Sequence, residues 1–441
     1  MQATPRRNTE LSLLILALIL GAGALALVVL ALGPDEITLA TPIMTVLVIL
    51  YVAAHVLMRK VVPGADPTIL PTAALLNGVG LAVVYRLGPE RFGPSQVTWT
   101  LVGLILFTAT LLLLRDYHSL ARYKYLIGFA GVFMLMLPAF PGIGREVNGA
   151  RLWVGIGGFQ FQPGEFAKVL LVTFFAAYLA ERKELLSIAS RRFAGFHIPD
   201  PKHFGPLLLM WGLSLAVMIL EKDLGSSLLF FSIFLVMLYI ATARIVYTVL
   251  GTLLFAIGAW FSWAAFDHVQ LRVRVWLDVF NPRLINDESY QMAQSLFALA
   301  TGGLFGTGFG KGRPDLIPAA ETDFVFSALG EELGLFGTAA ILLCFLLLVG
   351  RGFRTAMTAR DDFGRLLAGG LTAIFGIQTV IILGGVTRLL PLTGITLPFM
   401  SYGGSSLLAN FVLIGILIRI SHQAADAPPP AATAEILIGG R

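Results

Sequence analysis

Charge is scarce in this chain, and that scarcity decides its class. Only 13% of its 441 residues are Asp, Glu, Lys or Arg, while 57% are hydrophobic; a soluble domain carries about 25% charged residues. Too little polar surface remains to hold such a chain in water, so a soluble enzyme or a free binding module is excluded and lipid becomes the solvent. Cysteine is scarcer still. The one cysteine, Cys344, lies in an apolar run; it cannot form an internal disulfide and reads as a packing residue. A nucleotide-binding phosphate loop is also missing. Gly310-Lys311 is followed by Gly312, where Ser or Thr would be needed. No small-residue cleavage site follows the first apolar stretch, 11–32, which is too long for a signal-peptide core and reads as a membrane helix. The net charge of +5 does not argue for nucleic acid, because its distribution follows membrane topology.

What the chain has is apolar runs. A helix needs about 20 apolar residues to cross the hydrocarbon core, and that length predicts spans at 11–32, 40–58, 68–87, 97–114, 125–139, 163–181, 205–220, 225–242, 246–266, 324–350, 366–386 and 398–420. The expected fold is all-α: one polytopic domain over 1–423 with about twelve transmembrane helices. An even count puts both termini on one side. Arg6, Arg7, Arg59, Lys60, Arg115, Arg122, Lys124, Arg351, Arg354, Arg360 and Arg365 fall on the N-terminal side, which predicts cytoplasmic termini. Three polar stretches then face outward: 140–162, a long loop at 267–323, and 387–397. Residues 424–441, rich in Ala and Pro, read as a disordered cytoplasmic tail.

Several charged groups stand at the ends of apolar runs, where each is expensive and tends to mark function. Pro163 suits a first helical turn. Glu165 follows in that turn, and Lys168 is three residues on, so the two share a face and can pair. They could be a structural ion pair or part of a site. Arg151 offers a planar fork of donors for phosphate, and Trp153 could be an interfacial anchor. Asp223 reads as an N-cap for a helix from Leu224, with a role in shaping the cavity as the alternative. Arg272, Arg274, Lys311 and Arg313 form a basic set in the 267–323 loop, suited to a pyrophosphate or to solvation. Asp323 stands where that loop enters a helix, as a cap or as a reactive carboxylate. Glu331 and Glu332 lie deeper. The stretch 390–406, rich in Gly, Pro and Ser, is broken backbone that must be buried or line a cavity.

Seven blocks in order, Asn148–Trp153, Gln162–Lys168, Asp223–Ser226, Gly302–Gly312, Thr322–Phe326, Gly330–Gly334 and Leu390–Ser406, resemble the SEDS family (shape, elongation, division and sporulation). Two extra N-terminal spans and a short tail look more like its RodA branch than its FtsW branch. The resemblance implies a peptidoglycan glycosyltransferase that polymerises lipid II at the external face of a bacterial plasma membrane. It implies that Asp323 is the catalytic carboxylate, that Glu165 and Lys168 support activity, and that Arg151 matches a basic residue before the family's Trp. Lipid II as substrate, a class B penicillin-binding protein as partner, and a divalent cation, Mg or Mn, with no nucleotide, are its further implications. Three positions depart from the pattern: Gly164 where Ser is usual, Lys222 where Pro is usual, and Glu321 where His is common. The rival reading is a lipid II flippase, since broken helices with buried charges also suit a transporter.

Overall fold

The computed structural model describes residues 3–147, 150–156, 159–187, 191–193, 196–198, 205–220 and 223–425. Asn148, Lys222 and residues 426–441 of the expected tail lie outside the described residues. Fifteen helices follow in chain order among the described residues: α1 Ala3–Leu32, α2 Asp35–Val61, α3 Ile69–Leu87, α4 Phe92–Leu113, α5 His118–Arg122, α6 Lys124–Met136, α7 Pro163–Ser187, α8 Gly205–Leu220, α9 Leu224–Thr242, α10 Ile245–Ala265, α11 Asp267–Leu277, α12 Tyr290–Gly302, α13 Val325–Thr358, α14 Asp362–Val386 and α15 Gly404–Ala425. Ten of them are long and apolar enough to cross a membrane. The other two expected spans, at 125–139 and 205–220, are the shorter helices α6 and α8, of 13 and 16 residues. By length, therefore, ten spans stand among the described residues where about twelve were expected in the chain.

Every other expected span finds its helix, with some ends moved: α1 begins at Ala3 and α13 runs to Thr358, both longer than expected. The last was expected from 398 but begins at Gly404. Phe399 adopts a positive φ of 63°, and the Ser401 hydroxyl accepts the Leu397 N–H at 2.8 Å while donating to the Thr322 carbonyl at 2.6 Å. These bonds, one local and one to the loop before α13, satisfy the backbone without a helix. Helices α3, α7, α14 and α15 are buried along most of their length and form the centre. Helix α10 is largely exposed, as an apolar helix facing lipid would be. Two small sheets were not foreseen. β1 Gly144–Val147, β2 Ala150–Ile156 and β3 Phe159–Phe161 form an antiparallel meander with Arg145 opposite Trp153. β4 Arg191–Phe193 pairs with β5 Phe196–Ile198.

The loops segregate to two faces, as the charge pattern predicted. On one face, Tyr85 donates to Glu36 at 2.6 Å, Arg86 donates to the carbonyls of Gly310 and Gly312, and the Gln162 N–H donates to Ser405 at 2.9 Å. On the other, Arg6 donates to the Gly64 carbonyl, Asp66 holds Arg351, Tyr117 meets Asp361, and Lys183 meets Asp362 at 2.7 Å. Helix α1 is anchored at this second face by a buried cluster in which Arg7 and His55 both bond Glu10.

Candidate functional site

The site face gathers around the N-terminus of α7. Pro163 occupies its first position, where a missing N–H costs nothing. One turn in, the Glu165 carboxylate lies 2.8 Å from the Lys168 ammonium, and both side chains are almost fully buried. Burying two charges is tolerable only when each keeps partners. Lys168 has a second one, the side-chain oxygen of Gln378 on α14, at 3.0 Å. Asp223 caps α9, accepting the Ser226 N–H at 2.9 Å, and it lies within electrostatic reach of both Glu165 and Arg272. The capping role read from sequence is met, and the residue still faces the site.

Asp323 reaches the same region from the far end of the long loop. A turn at Ala319, with φ of 54°, lets the Thr322 and Asp323 N–H groups donate to the Ala319 carbonyl. Phe324 follows as a fully buried anchor and occupies the cap position of α13, where no side-chain cap bond forms. Asp323 is thus not spent on capping. Half-buried, its carboxyl is pushed up to about 6 by desolvation, against the pull of the Thr322 hydroxyl and Arg272, while Glu321 adds to the rise. The broken segment between α14 and α15 lies against it. A Cβ at Gly394, where φ is +72°, would stand 3.7 Å from Asp323 Oδ2. That segment is also tied to the loop beside Asp323, because the Tyr402 N–H donates to the Glu321 carbonyl at 2.7 Å. Arg272 on α11 points its guanidinium toward the Leu392 carbonyl at 3.5 Å.

Arg151 stands apart from this group. It lies on β2, well exposed, with its guanidinium 3.4 Å from Glu146. Arg313 is likewise exposed and paired with Asp315. Of the basic set in the loop, Arg272 is the member within electrostatic reach of Asp323. Sequence reasoning missed Gln378 and Thr396. The available signal was an amide in the middle of the apolar run of α14, which at membrane depth must find partners.

The Gly-rich block 302–312 has a structural explanation. Helix α13 breaks at Gly334, whose φ of 67° and ψ of −167° are non-helical. The loop covers that break: Thr307 and Gly308 N–H groups donate to the Glu331 and Glu332 carbonyls, and Leu335 and Phe336 N–H groups donate to those of Gly303 and Leu304. No side chain fits between the two strands of backbone. A Cβ at Gly302 would fall 1.9 Å from the Gly330 carbonyl oxygen. Glu331 accepts the Arg313 N–H at 2.9 Å and Glu332 pairs with Arg86 at 3.4 Å. Among the described residues, no cluster of three or more His, Cys, Asp or Glu side chains is placed to hold a metal.

Residues 68–426 match the sequence model of the FtsW/RodA/SpoVE cell cycle proteins. A peptidoglycan glycosyltransferase RodA of Mycobacterium tuberculosis H37Rv is 46% identical over 429 residues, spanning 95% of this chain and 91% of the relative. A probable peptidoglycan glycosyltransferase FtsW of Geobacter strain M18 is 35% identical, spanning 83% of this chain and 99% of the relative. Among solved structures, a chain of a peptidoglycan synthase complex that coordinates polymerisation and crosslinking superposes with a TM-score of 0.67 at 26% identity, covering 82% of this chain and 99% of that one. The Thermus thermophilus rod shape determining protein RodA superposes at 0.57 and 26% identity, covering 82% and 98%. With ten membrane-length helices, its seven blocks in order and these relatives, the chain is a multi-pass bacterial membrane protein that belongs to the FtsW/RodA/SpoVE family, on its RodA side.

Proposed function

We propose that the chain is a peptidoglycan glycosyltransferase that polymerises lipid II, with the face bearing Asp323 outside the cell and both termini in the cytoplasm. The 4-hydroxyl of an acceptor GlcNAc attacks C1 of a donor MurNAc. The new O4–C1 bond forms as the C1–O bond to undecaprenyl pyrophosphate breaks, and the hydroxyl proton passes to Asp323. A carboxylate with a proton affinity near 6 is a better base than an ordinary aspartate and is still ionised at neutral pH. Lys168 and Arg272 supply positive charge as the pyrophosphate leaves, and Glu165 holds Lys168. Arg151, on the exposed meander, suits an outer contact to phosphate. A Mg or Mn ion would add to that positive charge, although among the described residues no cluster of three or more His, Cys, Asp or Glu side chains is placed to hold one. A class B penicillin-binding protein is the expected partner, consistent with the likeness to a synthase complex that couples polymerisation to crosslinking.

The observation that carries this reading is the half-buried, proton-avid Asp323 set against a segment that is itself tied to the buried Lys168. The test is purified protein incubated with lipid II in detergent, where no membrane sides exist. Glycan strands that vanish on Asp323→Ala support the transferase. Absence of strands with the wild-type protein and its cognate partner would favour the flippase, which the broken helix α13 also suits.

A further inference from the structure

The amide of Gln378 is completely buried midway along α14. A primary amide in such surroundings is costly unless both its ends are bonded. Both are, and to different parts of the site. Its oxygen accepts from Lys168 Nζ at 3.0 Å, and its nitrogen donates to the Thr396 carbonyl at 2.6 Å. The orientation is forced. An ammonium can only donate and a carbonyl can only accept, so rotating the amide by half a turn breaks both bonds at once.

Thr396 belongs to the broken segment between α14 and α15. Its hydroxyl donates to Ser406 at 2.9 Å, and it stands two residues from Gly394, which lies against Asp323. One side chain therefore fixes two things together. It bonds the ammonium that pairs with Glu165, and it bonds the segment that stands beside Asp323. Ile377 and Thr379 flank the amide in the apolar helix.

We propose that Gln378 is a positioning residue for the transfer reaction, coupling the Lys168 ammonium to the Thr396 segment so that cation and carboxylate are held in register. The proposal rests on the glycosyltransferase reading above. It adds a residue that touches neither sugar nor pyrophosphate. A misplacement of about 1 Å at a reacting group can cost about 100-fold in rate, and an amide bonded at both ends is a device for preventing it.

The test uses full-length protein in detergent, with initial rates of strand formation measured against lipid II concentration. Gln378→Met keeps the volume and removes both bonds. The expected result is a fall in kcat of about 10- to 100-fold, with KM within about threefold and with unchanged monodispersity. Gln378→Glu supplies the second arm. The introduced carboxyl can accept from Lys168 when ionised, but it can donate to Thr396 only when protonated. Its rate, divided by the wild-type rate at the same pH, should therefore rise as pH falls from 8 to 5.5. Wild-type kcat in a folded Gln378→Met variant overturns the coupling. So does a loss confined to KM, or a Gln378→Glu ratio that is flat with pH. Where Gln378→Met fails to fold, the Gln378→Glu profile alone decides. Wild-type protein that makes no strands sinks the transferase reading first, which separates that failure from failure of the coupling.

Discussion

Asp323 makes the sharpest quantitative demand on the protein. Moving its carboxyl from 3.8 to about 6 amounts to about 3 kcal/mol of lost preference for the charged form, at 1.36 kcal/mol per pH unit. If the reaction needs the ionised form, about 10% of the enzyme is active at pH 5, half at pH 6 and about 90% at pH 7. The rate of strand formation should then climb about tenfold between pH 5 and 7 and level off above. An ordinary aspartate would already be ionised at pH 5 and give no such climb. The same displacement has a stability consequence of opposite sense. A carboxyl whose folded value lies above its unfolded one favours the fold while protonated, and that advantage is lost as pH rises from about 4 through 6. Asp323→Asn should therefore abolish polymerisation while stabilising the folded chain at pH 7.5, by at most about 3 kcal/mol. The assay is initial rate in detergent across overlapping buffers, with a thermal melt at each pH. Equal rates at pH 5 and 7.5 in protein that remains folded would refute the assignment of Asp323 as the titrating base. Arg272→Gln should move the midpoint upward, since it removes an attraction for the charged form.

Other predictions follow from specific contacts. Lys168→Met leaves the buried Glu165 carboxylate without its cation, a loss on the order of 3–5 kcal/mol; the double variant Glu165→Gln with Lys168→Met should recover most of the thermal stability and none of the activity. Gly302→Ala should destabilise the chain by several kcal/mol, because its methyl would meet the Gly330 carbonyl at 1.9 Å; a melting midpoint within a degree of wild type would show that the loop does not pack on α13 as described. In a Cys344→Ser background, Lys311→Cys should react with a membrane-impermeant maleimide added to intact cells and Arg360→Cys should not. The reverse pattern would invert the proposed orientation and remove Asp323 from the side where exported precursor is found.

Much of this was legible from local signals. Apolar run length located the spans, because in lipid a backbone has little choice but helix. Pro163 followed by Glu165 and Lys168 announced a helix start with a paired turn, and Asp223 announced a cap. The charge pattern sorted the loops into the two faces that the hydrogen bonds display. What remained hidden was whatever depends on residues far apart in sequence. The bond from Lys168 to Gln378 joins positions 210 residues apart, and no periodicity encodes it. The meander β1–β3 pairs short segments that carry Gly and Arg where a strand would alternate cleanly. Asp323 looked like a helix cap because it sits two residues before α13; only the φ at Ala319 and the burial of Phe324 show the carboxylate turned away from that duty.

The first two helices lie outside the stretch that matches the family's sequence model, which begins at residue 68, yet α1 touches the Gly-rich turn directly. A Cβ at Gly310 would fall 2.2 Å from that of Ala31, and Phe309 rests on the patch formed by Ala24, Leu25, Val28 and Val29. That turn leans on protein and not on acyl chains. The turn that covers the break in α13 should therefore depend less on the composition and thickness of the surrounding bilayer. A chain begun at Thr68 would retain each of the site side chains but should become sensitive to the lipid in which it is dissolved.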